Sequence, residues 1–449
     1  MINSPNQQTR RRVRWWPALA IGVLTIVAVI YIWTADFSSR QMQIQWTGQI
    51  VILAVLLLLV WLLFFSRLRW KARLISFGAI VLLLSAIPAL FRLRGISGDI
   101  LPILEWRWAK SNVVALPASS PISIDTMAAA KSLKASSSPE SDPSLPAASA
   151  RSQAVEEKVK AAAREISTDY PQFLGPHRNA MVHGIKLHRD WTKHPPKLVW
   201  RQPLGAGWSA FAVSGNFAIT QEQRDRIELV VAYDLKSGQV IWSHGDSASY
   251  ESPITGNGPR ATPTIAGNRV YTLGGTGMLN CLDLATGKRI WSKDIIQDNS
   301  SQINGWGMSG SPLLLDSLVV VSAGGREGNS LVAYHQDTGT RIWSGGNDRA
   351  AYSSPLVATI AGIRQILIFN QNNVAAHDPA TGQILWQQEW PGGSECVAQP
   401  VPLPSDRVFV STGYGIGCKL FQIQRGENGA LHASLIWETN KLKAKFTNV

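Results

Sequence analysis

The chain has 449 residues, of which 45% are hydrophobic and only 16% charged, and it carries a formal net charge of +13. That make-up excludes a disordered polypeptide, and the length allows two or three domains. The charge is unevenly placed: residues 1–110 hold 13 basic and 3 acidic groups, residues 111–168 hold 6 of each, and residues 169–449 hold 24 and 21. The excess lies among apolar runs, where membrane topology explains it, so nucleic acid is not expected as a partner. Three cysteines, Cys281, Cys396 and Cys418, are too few for a disulfide framework, and no C-x-x-C pair occurs.

Within residues 1–110, three stretches free of charged residues stand out: 15–33, 48–65 and 74–91. As helices each spans about 27 Å, one hydrocarbon core, so three transmembrane helices are expected. Trp15, Trp16 and Trp33 bracket the first, where indoles favour the membrane interface. Arg10, Arg11, Arg12 and Arg14 precede the first span, and Arg67, Arg69, Lys71 and Arg73 separate the second from the third. Both clusters are expected on the cytoplasmic side of a bacterial inner membrane, which puts everything after Phe91 in the periplasm. Arg92, Arg94, Arg107 and Lys110 run against this orientation but are outweighed. A cleaved signal peptide fits less well: no small-x-small site follows Trp33, and two further apolar runs remain.

Residues 111–168 are rich in Ala, Ser and Pro, as in SSPISID (119–125) and SSSPESDPSLPAASA (136–150). Such a stretch cannot bury enough apolar surface to order itself and reads as a disordered spacer, with a short solvated helix over 151–166.

From Asp169 onward the sequence repeats. AYDLKSGQVIW (232–242), CLDLATGKRIW (281–291), AYHQDTGTRIW (333–343) and AHDPATGQILW (376–386) share a Gly at the seventh position and a Trp at the eleventh. A looser copy ends at Trp437, and KLVWRQPLG (197–205) precedes them all. Successive tryptophans at 200, 242, 291, 343, 386 and 437 keep close to the roughly 40–50 residue period of a four-stranded propeller blade. Inside one period, ATPTIAG, NRVYTLGG, GMLNCLD and KRIWSKD read as four short strands between turn residues. Pro263, Pro312, Pro355 and Pro400 open the first strands, and Gly238, Gly287, Gly339 and Gly382 occupy the turn before the last. The fold expected for 169–449 is therefore an all-β propeller of four-stranded antiparallel blades, each Trp packing against the neighbouring blade.

The A-x-D-x-x-T-G-x-x-x-W pattern resembles the tryptophan-docking repeat of the pyrroloquinoline quinone (PQQ) propellers. That family includes quinoprotein alcohol and glucose dehydrogenases and the non-enzymatic outer-membrane assembly factor BamB. DYPQFLGPHRNA (169–180) also resembles stretches common in bacterial PQQ-like repeat proteins. The resemblance implies seven or eight blades. The chain supplies five complete periods, so the ring is expected to be truncated at its C-terminal end, leaving an open sheet edge.

The resemblance leaves two functions open. The first is a non-catalytic binding or scaffolding module of the BamB kind, engaging envelope proteins or peptides. The alternative is a PQQ-dependent alcohol or sugar dehydrogenase with Ca²⁺, which passes electrons to membrane quinone. Neither adjacent cysteines nor a haem-attachment motif is present, and no metal ligand can be carried over. Residues just before each first strand, Trp208, Arg260, Trp306, Tyr352 and Glu395, should ring one mouth of the central channel, where a planar anion could be held by stacking and ion pairing.

Other motifs read as structural. His183, His188 and His194 lack a zinc pattern and are expected on the surface. TLGGTG (272–277) and GYGIGC (413–418) are strand-to-strand turns, and GMSGS (307–311) is expected on a strand. Asp234, Asp283 and Asp378 should bond turn backbone, and Cys281 should be a small buried residue. Cys396 and Cys418 could meet within one blade.

Overall fold

A computed structural model describes residues 14–34, 40–96, 102–108, 122–125, 169–391 and 395–449. Arg10, Arg11, Arg12, Lys110 and most of the spacer expected over 111–168 lie outside the described residues. The chain forms two compact units.

The N-terminal unit contains α1 (Trp16–Thr34), α2 (Arg40–Val60) continued by a π-helical turn Trp61–Phe65, and α3 (Trp70–Leu90). Three helical segments, Trp16–Thr34, Gln43–Phe65 and Trp70–Leu90, are long and apolar enough to cross a membrane. The second and third helices begin earlier than their apolar runs, because polar residues at a helix end continue its backbone bonding. Arg73 also finds work there: its Nε and Nη1 donate to the carbonyls of Leu68 (3.0 Å) and Leu63 (2.6 Å), which the preceding helix leaves open. The third helix stops at Leu90. Phe91 is extended and starts a hairpin, β1 (Phe91–Ile96) paired antiparallel with β2 (Pro102–Trp106), in which Arg92 meets Glu105 at 2.9 Å.

The second unit is built of five blades. The first has β4 (Ala212–Ser214), β5 (Phe217–Arg224), β6 (Ile227–Asp234) and β7 (Val240–Asp246), and the second β8 (Thr264–Ala266), β9 (Arg269–Leu273), β10 (Met278–Asp283) and β11 (Arg289–Asp294). A single helical turn, α4 (Ile295–Asp298), follows, capped by the Asp294 carboxylate. The third blade is β12 (Leu313–Leu315), β13 (Leu318–Ser322), β14 (Leu331–His335) and β15 (Arg341–Gly345), and the fourth β16 (Leu356–Ile360), β17 (Ile363–Phe369), β18 (Asn373–His377) and β19 (Ile384–Glu389). The fifth is β20 (Val401–Leu403), β21 (Arg407–Thr412), β22 (Gly417–Arg425) and β23 (Leu431–Thr439). Within each blade the strands are sequential and antiparallel. The described residues of the spacer depart from expectation: β3 (Ile122–Asp125) pairs in parallel with β7 and makes the first sheet five-stranded.

Each first strand begins one residue after its proline, at Thr264, Leu313, Leu356 and Val401. The turn glycines all have left-handed backbones, with φ of +71° at Gly238, +69° at Gly287, +67° at Gly339 and +75° at Gly382. Their lack of a side chain is required twice over, since a Cβ would lie 2.5, 2.4, 2.8 and 2.4 Å from the rings of Trp200, Trp242, Trp291 and Trp343 respectively. Each indole thus lies flat on the turn of the next blade, and its Nε1 donates to a carbonyl there: Leu235, Leu284, Gln336 and Pro379, at 2.8–3.0 Å. The aspartates hold the same turns, as expected: Oδ1 of Asp283 accepts from the Thr286 amide (2.9 Å) and hydroxyl (2.7 Å), with equivalent bonds at Asp234 and Asp378. Trp386 breaks the series by donating to Oε1 of Gln365 at 2.6 Å. On the last strand, Leu435, Ile436 and Trp437 are exposed.

The core lies between blades rather than within them. Ile219, Val230 and Trp242 pack on Ile265, Val270 and Leu282; Tyr271, Leu279 and Trp291 on Val319, Val332 and Tyr334; Val320 and Trp343 on Ile366 and Ile368; and Phe369 and Trp390 on Val410 and Phe421. Both faces of a middle blade are therefore buried, and stability resides in nearest-neighbour interfaces. Cys281 is one of these small core residues, and Cys396 and Cys418 are buried and not joined by a disulfide. GMSGS does not lie on a strand as expected. It belongs to the irregular connection before β12, since Pro312 delays the start of pairing.

Candidate binding site at the propeller mouth

Because consecutive strands alternate in direction, the blade-to-blade connections and the loops between second and third strands open on the same end of the propeller. A relay of hydrogen bonds at the start of the inner strands sets the spacing there. Gln221 Nε2 donates to the Ala261 carbonyl (2.6 Å), the Thr262 amide to Ser311 Oγ (2.9 Å), the Ser311 amide to Ser354 Oγ (2.9 Å), and Gln399 Nε2 to the Ser354 carbonyl (3.1 Å). Every blade is tied to the next at its inner edge.

The segment 169–180 fills part of the hub. Tyr170 exchanges two backbone bonds with Val213 on β4, and the Pro171 carbonyl accepts from Ile265 on β8. Arg178, 3% exposed, donates from Nη1 and Nη2 to the carbonyls of Pro312 and Ser311 at 3.0 Å each, and also to Gln172 Oε1. Burial disfavours its charge, and these oxygens offset that penalty. One short stretch of chain thereby links the inner strands of three blades.

Around this hub the structure gathers an aromatic and cationic cluster. Trp306 stacks on Tyr352 with ring centroids 4.8 Å apart, and its ring lies 5.6 Å from Phe446 and 6.3 Å from Tyr414. The Arg260 guanidinium sits 4.8 Å over the ring of Tyr250, whose hydroxyl donates to the Gly305 carbonyl at 2.5 Å. Lys445 Nζ lies 5.0 Å from the Tyr414 ring and 5.5 Å from that of Phe446. Burial raises the Tyr352 hydroxyl to about 12, with the Glu395 carboxylate adding to the shift, and the same two influences raise Tyr414. Burial also lowers Arg260, against the charges of Tyr250, Tyr352 and Glu228. Tyr352 and Tyr414 are thus held as neutral phenols at neutral pH, beside the Glu395 carboxylate and the Arg260 guanidinium.

Of the five residues read from the sequence, four converge: Trp306 and Tyr352 in direct contact, with Arg260 and Glu395 close enough to influence Tyr352 electrostatically. Trp208 does not join them. Its amide donates to the Pro259 carbonyl at 2.9 Å, while its indole is 68% exposed and makes no ring contact among the described residues. Tyr250, Tyr414, Lys445 and Phe446 were not foreseen. Tyr414 sits in the GYGIGC turn with φ +58°, and Lys445 and Phe446 lie past the last recognisable repeat. Only the ring geometry brings them in. His183, His188 and His194 are exposed as expected, and the rings of His188 and His194 stack at 4.1 Å.

The quinoprotein resemblance implies PQQ with a Ca²⁺ ion, which needs a cluster of oxygen ligands. Among the described residues, no set of three or more His, Cys, Asp or Glu side chains is placed to hold a metal ion. At the mouth, Trp306 and Tyr352 stack on each other.

Residues 226–445 match the family described as outer membrane protein assembly factor BamB. A protein of that name from Xanthomonas campestris pv. campestris is 30% identical over 138 residues, covering 30% of this chain and 31% of its own length, so the chain spans about a third of that relative. Among solved structures, BamB from Moraxella catarrhalis aligns with a TM-score of 0.36 at 18% identity, over 53% of this chain and 65% of that one. The quinohemoprotein alcohol dehydrogenase from Comamonas testosteroni aligns at 0.40 and 14%, over 63% and 50%. With the docked tryptophans and the five blades, the match makes residues 226–445 a PQQ-like repeat propeller that resembles BamB, in a chain that also carries three apolar N-terminal helices.

Proposed function

We propose that the chain is a membrane-anchored envelope protein whose propeller is a non-catalytic binding module, with the mouth of the channel as its docking face. The observation that supports this reading is the composition and exposure of that face. Trp306, Tyr352, Tyr414 and Phe446 are only partly covered and stand among Arg260 and Lys445, the residue types that dominate interface energetics. Tyrosine and tryptophan lose little conformational entropy on binding and offer both an apolar face and a donor. Segments of envelope proteins that carry aromatic and acidic side chains fit such a surface. Arg67, Arg69, Lys71 and Arg73 on the cytoplasmic side of an inner membrane would place the propeller in the periplasm.

The dehydrogenase alternative predicts a different observable. Membranes containing the protein, supplied with PQQ and Ca²⁺, are assayed for dye-linked oxidation of alcohols and sugars. The binding-module reading expects no oxidation above membranes lacking the protein, and a PQQ-dependent rate would overturn it.

A further inference from the structure

Beside the mouth, a cavity of about 320 Å³ opens between the third and fourth blades. Three connections wall it: Ser300–Gly305 before β12, the β13–β14 loop at Gly324 and Arg326, and the stretch from Arg349 to Gln371 that brackets β16 and β17. We propose that this cavity is an oxyanion site, taking the phosphate or carboxylate group of a small organic acid between Arg326 and Arg349.

The charge balance carries the argument. Both arginines line the cavity, and no aspartate or glutamate does. Among the described residues neither guanidinium has a carboxylate partner; Glu327, next to Arg326 in the chain, is exposed and does not line the cavity, and two further acids close in sequence to its walls are committed elsewhere. Asp348 accepts from the amides of Arg349 (2.8 Å) and Asn372 (2.7 Å) and from Asn372 Nδ2 (2.7 Å), while Asp298 accepts the Tyr334 hydroxyl at 2.7 Å. Two unpaired cations facing one concavity repel each other unless an anion joins them. A guanidinium offers a planar fork of donors that matches the two oxygens of a carboxylate or phosphate. The amides of Gln302 and Gln371 add neutral donors on the same walls.

The volume fits a small ligand, at the lower end of the roughly 300–1,000 Å³ of small-molecule sites. One point on its wall, Gly324, is bare backbone of necessity. Gly324 has φ +72°, and a Cβ there would come within 2.2 Å of the Ala350 amide nitrogen, so the third-blade loop can approach the fourth blade only with glycine. Ser300, on the wall, also has a left-handed backbone, at φ +48°. Tyr352 belongs to both the cavity and the mouth cluster. The site does not depend on the mouth being a docking face, since it stands on its own arginines.

Isothermal titration of the detergent-solubilised full-length chain with inorganic phosphate, and separately with citrate, tests the proposal and distinguishes the two oxyanions. Saturable binding of one anion per chain is expected in at least one arm, weakening as NaCl is raised. Arg326→Gln and Arg349→Gln should each reduce affinity about tenfold or more, and the double variant should abolish binding. Arg425→Gln, at an exposed turn on the opposite end of the propeller, should leave it unchanged. No saturable heat with either anion, or binding that survives in the double variant, would overturn the assignment.

Discussion

The docking of Trp242 on the Gly287 turn makes a prediction about energetic coupling between blades. A methyl group at residue 287 would fall 2.4 Å from Cε3 of Trp242 and 2.6 Å from Cδ2, in a backbone at φ +69°. Gly287→Ala therefore carries two costs: about 1–2 kcal/mol for a non-glycine residue in the left-handed region, and about 1–3 kcal/mol for overpacking against a buried ring. Trp242→Ala should cost about 3–5 kcal/mol through lost packing and the lost bond to Leu284. The two are not independent. Once the indole is gone the overpacking disappears, so the double variant should be more stable than the sum of the singles by about 1–3 kcal/mol. Hydrogen exchange of peptides covering 229–246 and 270–291 in the intact protein reads the local opening energy, about tenfold in exchange for each 1.4 kcal/mol. Single costs that add to within about 0.5 kcal/mol would refute the idea that glycine and tryptophan act as one joint.

Further outcomes follow from buried polar groups and topology. Burial lowers the basicity of His377, opposed by its contact with the Gly382 carbonyl at 2.8 Å, so the folded protein holds it neutral where the unfolded chain would take a proton. That stability is complete above the ordinary histidine value of about 6.5 and is lost as pH falls below it, by at most about 1.4 kcal/mol per pH unit; His377→Asn should flatten the pH dependence of exchange in β18 between pH 7.5 and 5.5. Arg178→Ala strands the Ser311 and Pro312 carbonyls and should cost about 3 kcal/mol at the hub, read as faster proteolytic cleavage within 169–180. A cysteine introduced at exposed Asn179 should react with a membrane-impermeant maleimide in cells with permeabilised outer membranes, whereas one at Arg69 should not.

The sequence disclosed what repeats. Tryptophan, glycine, aspartate and proline recur because each blade solves the same local problem, so strand starts at Thr264, Leu313, Leu356 and Val401 could be placed to within a residue. What it concealed was what each blade does for its neighbour only once. Arg178 acts on carbonyls more than 130 positions away, and Lys445 and Phe446 reach the mouth from beyond the last repeat. No spacing encodes such partners. Trp208 failed for a related reason: it occupies the right offset before a first strand, but the residues ahead of β4 are pinned to the Pro259 carbonyl and the β5 edge through Ala206 and Gln223, which leaves its indole outside the cluster. The short pairing of Ile122–Asp125 was hidden by its Ser- and Pro-rich surroundings, since four residues are too few to show alternation.

The claim that the mouth is a docking face is met most directly by site-specific photo-cross-linking in intact cells. A photo-reactive phenylalanine analogue replaces Phe446, which is 53% exposed at the mouth, or, as the control, Leu403, which is exposed on the opposite end. Discrete adducts with an envelope protein are expected from position 446 and not from 403, and they should fade when Trp306→Ala and Arg260→Gln are added. Equal adducts from both positions, or adducts from 403 alone, would contradict it.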